Sequence, residues 1–254
     1  MKIALIQIPL VWEDPKSNRD YIHQKINSLE SGTDLIILPE MFTSGFTMQP
    51  ERVAETMDGE TVQWMQSIAK AKKSAITGSL VIFENKKYYN RLLFVLPSGE
   101  IHYYNKRHLF TLAGEDKSYT KGTQKLIIEY NGWKICPLIC YDLRFPVFAR
   151  NVEHYDLLLY VANWPTIRIQ AWDTLLKARA VENMSYTIGV NRIGKDEKNY
   201  DYSGHSQLVD FLGNYTVAPQ EKEGVYYAQL DKEILLQTRM KLGFLNDQDL
   251  FDLS

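Results

Sequence analysis

The chain has little cysteine, no long apolar run and no surplus of charge of one sign. Its 254 residues contain two cysteines, Cys136 and Cys140, a number too small for a disulfide scaffold. Placed four positions apart around Pro137, with no second pair elsewhere, they match neither a C-x-x-C redox motif nor a zinc knuckle. On an extended strand rising about 3.3 Å per residue they would also stand well beyond the ~7 Å that a disulfide can span, so both thiols are expected to be free. No apolar stretch approaches the ~18 residues of a membrane helix. Met1-Lys2 runs straight into Ile3-Ala4-Leu5-Ile6 without a cleavage-site pattern, and a cytoplasmic protein is expected. Lysine and arginine (29) nearly balance aspartate and glutamate (31), and the signs are mixed rather than blocked. That leaves no footprint for nucleic acid or for an anionic membrane surface.

What is present is an ordinary core: 45% hydrophobic residues, with no repeat, low-complexity tract or linker, so a single domain over 1–254 is expected. Residues 2–10 (KIALIQIPL) read as a strand, and Asn18 opens a helix with Ile22, Ile26 and Leu29 at helical spacing. Residues 34–38 form a continuous apolar run, the pattern of a strand covered on both faces, and stop at Pro39-Glu40. A second helix begins at Gly59-Glu60 and ends in the basic turn 70–73. A meander follows over 74–83, 88–96 and 101–104. After a polar linker, 111–122, the strands 125–130 and 133–139 flank Asn131-Gly132, the strongest hairpin signal in the chain. Beyond it come a short helix at 145–151, a buried strand at 156–161 and a helix at 170–183 with Trp172, Leu175, Leu176 and Ala180 inward. Strands at 187–191, 205–210, 215–217 and 225–230 precede a last helix from Asp231. Helices that alternate with apolar strands must cover sheet faces, which predicts a mixed α/β architecture.

Three polar residues stand where apolar strands end. Cys140, in PLICYDLRFP, follows Leu138-Ile139 and precedes Tyr141-Asp142. A free cysteine is as often a small buried hydrophobe as a nucleophile, but a strand's carboxyl end is where open sheets place ligands. Cys136 lacks that setting. Glu40 closes LIILPE beside Met41-Phe42, where partial desolvation would fit it for proton transfer, although a solvated carboxylate is the commoner fate of glutamate. Lys106, in YYNKRHLF, would supply a cation to a thiolate and to the oxyanion of a tetrahedral intermediate, or belong with Arg107 to a basic surface cluster. Glu115 in GEDK is able to orient that lysine or to stand exposed. His108 and His205 offer the competing cysteine–histidine arrangement. None of the five histidines lies in a recognisable local protease signature, and a structural role is the better reading of each.

Taken together and in order, LIILPEMF around Glu40, YNKRHLF around Lys106 and LICYDLRFP around Cys140 resemble the signature segments of the nitrilase (carbon-nitrogen hydrolase) superfamily. The likeness extends from KIALIQ through ANWP (162–165) and KARAVEN (177–183) to the last strands. It implies an α/β fold, a four-layer α-β-β-α sandwich, that stacks into homodimers and carries a Glu-Lys-Cys site at one end. It also implies that Glu115, ahead of YTKG (119–122), is the superfamily's additional glutamate.

The implied reaction is hydrolysis of a small-molecule amide without metal or organic cofactor. Glu40 takes the thiol proton as Cys140 attacks, Lys106 and the Tyr141 backbone N–H stabilise the oxyanion, and protonated Glu40 assists departure of ammonia. Water activated by Glu40 then cleaves the thioester. PEMFTSGF (39–46) and ANWP look most like the omega-amidase branch, which acts on monoamides of 2-oxo dicarboxylic acids such as 2-oxoglutaramate or 2-oxosuccinamate. Such a substrate carries a far carboxylate, for which Arg168 is the candidate anchor. Phe46, Asn163 and Trp164 are candidate pocket walls, and Arg144 reads as structural. Deaminated-glutathione amidase, carbamoyl-amide hydrolase and nitrilase activities are the neighbouring readings. A non-catalytic relative and a papain-like hydrolase with a histidine base are the readings from other classes.

Overall fold

The structure, a computed structural model, describes residues 1–249 and 251–252. Residues 250, 253 and 254 of the expected domain lie outside the described residues. In chain order the elements are β1 (Lys2–Gln7), α1 (Pro15–Asn27), β2 (Leu35–Ile37), α2 (Glu60–Lys72), β3 (Ala75–Glu84), β4 (Lys87–Val95), β5 (Ile101–Asn105) and α3 (Glu115–Ser118). Then follow β6 (Ile128–Tyr130), β7 (Trp133–Ile139), α4 (Pro146–Ala149), β8 (Leu157–Ala162), α5 (Ile169–Asn183) and β9 (Tyr186–Asn191). The last third holds β10 (Ile193–Lys195), β11 (Asp201–Ser203), β12 (Ser206–Val209), β13 (Tyr215–Gln220), β14 (Gly224–Gln229) and α6 (Lys232–Leu242).

Two six-stranded sheets run in the orders β14-β1-β2-β3-β4-β5 and β13-β12-β9-β8-β7-β6. Each has a parallel centre, β1-β2-β3 and β7-β8-β9, because helix-containing crossovers join those strands, and each is flanked by antiparallel strands. The side-chain alternation of the apolar strands divides the core. Ile3, Leu5, Leu35 and Ile37 point between the sheets, where they join Ile135, Ile139 and Leu159. Ile6, Ile36 and Leu38 point the other way, under Ile22 and Ile26 of α1 and Val62, Met65 and Ile68 of α2. On the far side Trp172 and Leu176 of α5 cover the second sheet. The result is the α-β-β-α sandwich, and the two-faced burial of β2 explains its unbroken apolar run.

Two expectations about elements are corrected, and one hairpin is new. The first helix opens at Pro15, not at Asn18: Asp14 caps it by accepting from the Ser17 N–H (3.0 Å), and Pro15 suits the first turn. Asn18 is buried instead, donating to the carbonyls of Val11 and Thr43 (both 2.7 Å), so its polarity ties down a loop. The linker 111–122 is structured: a 3₁₀ turn (Thr111–Ala113) leads into α3, with Glu115 fully buried at its start. The hairpin of β10 and β11 had not been foreseen, although GKDEKNYDYSG carries turn residues between short apolar segments.

Candidate active site

The candidate residues meet at one end of the sandwich because strands that deliver them end there. Glu40 lies just past β2, Lys106 directly follows β5, Cys140 directly follows β7 and Asn163 directly follows β8. Lys106 is the hub. Its Nζ donates to Glu40 Oε1 at 2.8 Å and to Glu115 at 2.9 Å (Oε2) and 3.1 Å (Oε1), and all three side chains are inaccessible to solvent. Two carboxylates facing one ammonium in a dry site leave a negative excess, which Asn90 of β4 helps to absorb. Its Nδ2 donates to Glu40 Oε1 (2.8 Å) and Glu115 Oε1 (3.2 Å). The remaining oxygens are met by backbone: Asn163 N–H donates to Glu40 Oε2 (2.8 Å) and Phe110 N–H to Glu115 Oε2 (2.6 Å).

Burial alone would lower the Lys106 pKa, but Glu115 and Glu40 more than reverse it, so the ammonium is fixed at any working pH. Burial lifts the Glu115 carboxyl above its ordinary value, Lys106 opposes the rise and Glu40 adds to it. The Cys140 thiol is pushed well above 9.0, first by burial and next by the Glu40 carboxylate, with Lys106 pulling the other way. The resting sulfur is therefore a neutral thiol. A nucleophile emerges only when its proton passes to a base at the moment of attack, and Glu40 is the carboxylate in contact with it.

Cys140 opens a 3₁₀ turn (Cys140–Arg144) with φ +45°, in the left-handed region that L residues avoid by about 1–2 kcal/mol. Met41, next to Glu40, has φ +43°. The base and the thiol thus both sit at abrupt changes of chain direction. Tyr141 is the second residue of the Cys140 turn, where a backbone N–H has no acceptor within the helix. Cys136 lies within β7, fully buried with its pKa also raised by burial, and is free like Cys140.

A cavity of about 420 Å³ opens above the sulfur. Cys140, Lys106, Tyr141 and the four candidate pocket residues, Phe46, Asn163, Trp164 and Arg168, all line it, whereas Glu40 and Glu115 stand behind Lys106. Arg144, expected to be structural, lines it too: its guanidinium lies over the Trp164 ring (5.0 Å), as that of Arg168 lies over Phe110 (5.3 Å). Such stacking fixes a cation while leaving its N–H edge available. The loop of the unforeseen hairpin adds Asp196, Glu197, Lys198 and Tyr200 to the wall, with Trp12 from the first loop.

The two candidate histidines each face an aspartate. His108 Nδ1 meets Asp142 at 2.7 Å, and His205 Nδ1 meets Asp173 at 2.8 Å. Neither lines the cavity. Sequence reasoning missed Asn90, which beside Arg91 in KYYNRLLFV reads as part of the polar start of the strand, although the fold buries it. Among the described residues no three histidine, cysteine or acidic side chains are grouped to hold a metal, and no helix is long and apolar enough to cross a membrane.

This sandwich, with a thiol, an ammonium and two carboxylates gathered at the strand ends, defines a hydrolase of carbon–nitrogen bonds. The chain belongs to the carbon-nitrogen hydrolase family, whose model matches residues 2–240. It is 41% identical to the omega-amidase YafV of Escherichia coli K12, over 100% of this chain and 98% of that protein. The 2-oxoglutaramate amidase of Bacillus subtilis is 28% identical over 96% of each chain. Among solved structures, the CN-hydrolase superfamily protein XC1258 of Xanthomonas campestris, which carries an arsenic adduct in its active site, superposes with a TM-score of 0.97. It is 42% identical and the match covers 100% of this chain and 99% of that one.

Proposed function

We infer that the protein is an omega-amidase that hydrolyses the terminal amide of a 2-oxo dicarboxylic acid monoamide, such as 2-oxoglutaramate or 2-oxosuccinamate, to the diacid and ammonia. The observation that carries this reading is the composition of the cavity: a buried Glu40–Lys106–Glu115 cluster behind a neutral thiol, faced by the stacked guanidinia of Arg144 and Arg168. The likeness to an omega-amidase and a 2-oxoglutaramate amidase supports the same substrate class.

Glu40 receives the thiol proton while sulfur bonds to the amide carbon. The negative charge that develops on oxygen is held by the Lys106 ammonium and the Tyr141 N–H. Glu40 returns the proton to nitrogen, the C–N bond breaks, ammonia leaves, and a thioester remains on Cys140. Water then gives a proton to Glu40 and its hydroxide to the acyl carbon. Collapse of that second intermediate releases the carboxylic acid and reprotonates the sulfur, so one carboxylate serves both half-reactions. Glu115 holds Lys106 in place. Phe46, Asn163 and Trp164 wall the substrate, and Arg168 with Arg144 anchors its far carboxylate.

The test is ammonia release across 2-oxoglutaramate, 2-oxosuccinamate, deaminated glutathione, carbamoyl amides, nitriles and a neutral amide of matched length. The 2-oxo acid monoamides should be preferred. Arg168→Leu or Arg144→Leu should raise KM for them by roughly 10- to 100-fold, the worth of a charge-assisted hydrogen bond, and leave the neutral amide unchanged. Equal loss on both would remove the carboxylate anchor from this account.

We further place the enzyme in the cytoplasm, a reducing setting in which two free thiols persist, as a single domain that pairs into homodimers. Exposed Leu236, Met240 and Phe244 on and just after α6 give the second copy an apolar surface to cover. Sedimentation equilibrium should return twice the chain mass, and a monomer at micromolar concentration would remove the pairing.

A further inference from the structure

The site is assembled across two sheets. Glu40 and Lys106 follow strands of the first, and Cys140 and Asn163 follow strands of the second. A slip of about 1 Å between reacting groups is enough to cost roughly 100-fold in rate, so the two sheets need a register at this end. One cross-sheet link lies inside the site, where Asn163 donates to Glu40 through its backbone N–H (2.8 Å) and through Nδ2 to the Glu40 carbonyl (2.6 Å). It holds the base, and the Asn163 carbonyl accepts from the Cys140 thiol (4.0 Å), but it fixes the backbone of neither the lysine segment nor the Cys140 turn.

Asp142 touches both. Its carboxylate is inaccessible to solvent. Oδ2 accepts from the Ile139 N–H (3.0 Å) and the Tyr104 hydroxyl (2.8 Å). Oδ1 accepts from the His108 N–H (3.0 Å) and faces His108 Nδ1 (2.7 Å), which beside a carboxylate is the protonated ring nitrogen. The Tyr104 hydroxyl in turn accepts from the Arg107 N–H (3.0 Å). The segment 104–108 that carries Lys106 is thus bound on both sides of the lysine, and the residue before Cys140 is bound by the same carboxylate.

We propose that Asp142 is a positioning residue, a buried clasp that registers the Lys106 segment of one sheet against the Cys140 turn of the other. The clasp requires a carboxylate because its partners are all donors; an asparagine would turn an NH₂ group toward one of the two pairs. It also supplies what the left-handed conformation of Cys140 lacks, an external hold on a strained turn. The proposal rests on the roles given above to Cys140 and Lys106.

The experiment compares the parent with Asp142→Asn and Tyr104→Phe, per folded molecule by near-ultraviolet circular dichroism. It reads kcat and KM for ammonia release, and the pH dependence of Cys140 alkylation by iodoacetamide, located by peptide mass. Asp142→Asn should lower kcat by about 100-fold with KM within roughly threefold. It should also move the alkylation midpoint upward by about one pH unit, because a displaced Lys106 no longer opposes protonation of the sulfur. Tyr104→Phe removes one donor and should lower kcat roughly fivefold, which carries the test if the asparagine variant does not fold. A residue with only a structural role would lower Tm and leave kcat and the alkylation midpoint of the folded fraction where they were. That outcome in Asp142→Asn, or in Tyr104→Phe if it stands alone, overturns the clasp. Cys140→Ala separates the two levels: if it retains turnover the mechanism itself has failed, whereas if it is inactive and the clasp variants behave like the parent, only the clasp has.

Discussion

Replacing Cys140 by alanine is expected to lower the turnover of 2-oxoglutaramate by about 10⁵- to 10⁶-fold, the scale of loss when a covalent nucleophile is removed. The expectation follows from the state of the sulfur. A thiol held neutral by burial and by the Glu40 carboxylate contributes nothing until its proton moves, and without it the site offers an oxyanion cradle but no attacking atom. Rapid acid quench during turnover should show the parent carrying the mass of an acyl thioester and Cys140→Ala carrying none. Cys136 is the internal control: it lies four residues upstream in β7 and is fully buried. Cys136→Ala should keep activity within about twofold and lose on the order of 1 kcal/mol of stability to the missing sulfur. An adduct that survives in Cys140→Ala and sits on Cys136 would assign the chemistry to the wrong thiol. Glu40→Gln completes the argument, since it should fall by about 10²- to 10⁴-fold. Unchanged turnover there would return the base to a histidine, although His108 and His205 are each turned toward an aspartate and away from the cavity.

The sheets and the strand-end residues were legible because their causes are local. Continuous apolar runs such as 35–38 announce burial on two faces, and a proline, glutamate or cysteine ending such a run marks a place where chemistry can reach solvent. The order of the two sheets was not legible, since strands far apart in the chain, such as β1 and β14, pair for reasons that no window of sequence contains. Glu115 shows the same limit on a smaller scale. In GEDK its surroundings are charged and suggest a surface, whereas the fold turns that one carboxylate inward onto Lys106 while Asp116 and Lys117 stay exposed. The place of Arg144 on the cavity wall was not legible because its partner, the Trp164 ring, is twenty positions away in the chain. Asn90 and Asp142 went unread because their value lies in donors and acceptors from other segments, which only the assembled sandwich brings within 3 Å.

Lys106→Met tests the electrostatics of that assembly, and its signature lies in pH. Methionine fills the space of the lysine stem, so packing is largely kept, but Glu40 and Glu115 then face each other across Asn90 without a cation. The Glu115 carboxyl already stands above its ordinary value through burial, against the pull of Lys106; with that pull gone it should rise further. A carboxyl whose folded pKa exceeds its unfolded value binds its proton more tightly in the folded state. Its stabilising contribution is therefore complete below the unfolded value, about 4.3, and is lost as pH rises through the folded one. The variant should accordingly melt close to the parent near pH 4.5 and fall progressively behind toward pH 8. The deficit there should reach roughly 3–5 kcal/mol, the cost of stranding a buried charge, or on the order of 10 °C in Tm for a chain of this size. Turnover should drop by about 10²- to 10³-fold as the oxyanion loses its cation. The double variant Lys106→Met/Glu115→Gln removes one of the two stranded carboxylates, so it should recover most of the stability at pH 8 and flatten its pH dependence while remaining inactive. A deficit that is the same at every pH, or a double variant no more stable than the single one, would mean that the lysine is needed for its shape and not for its charge.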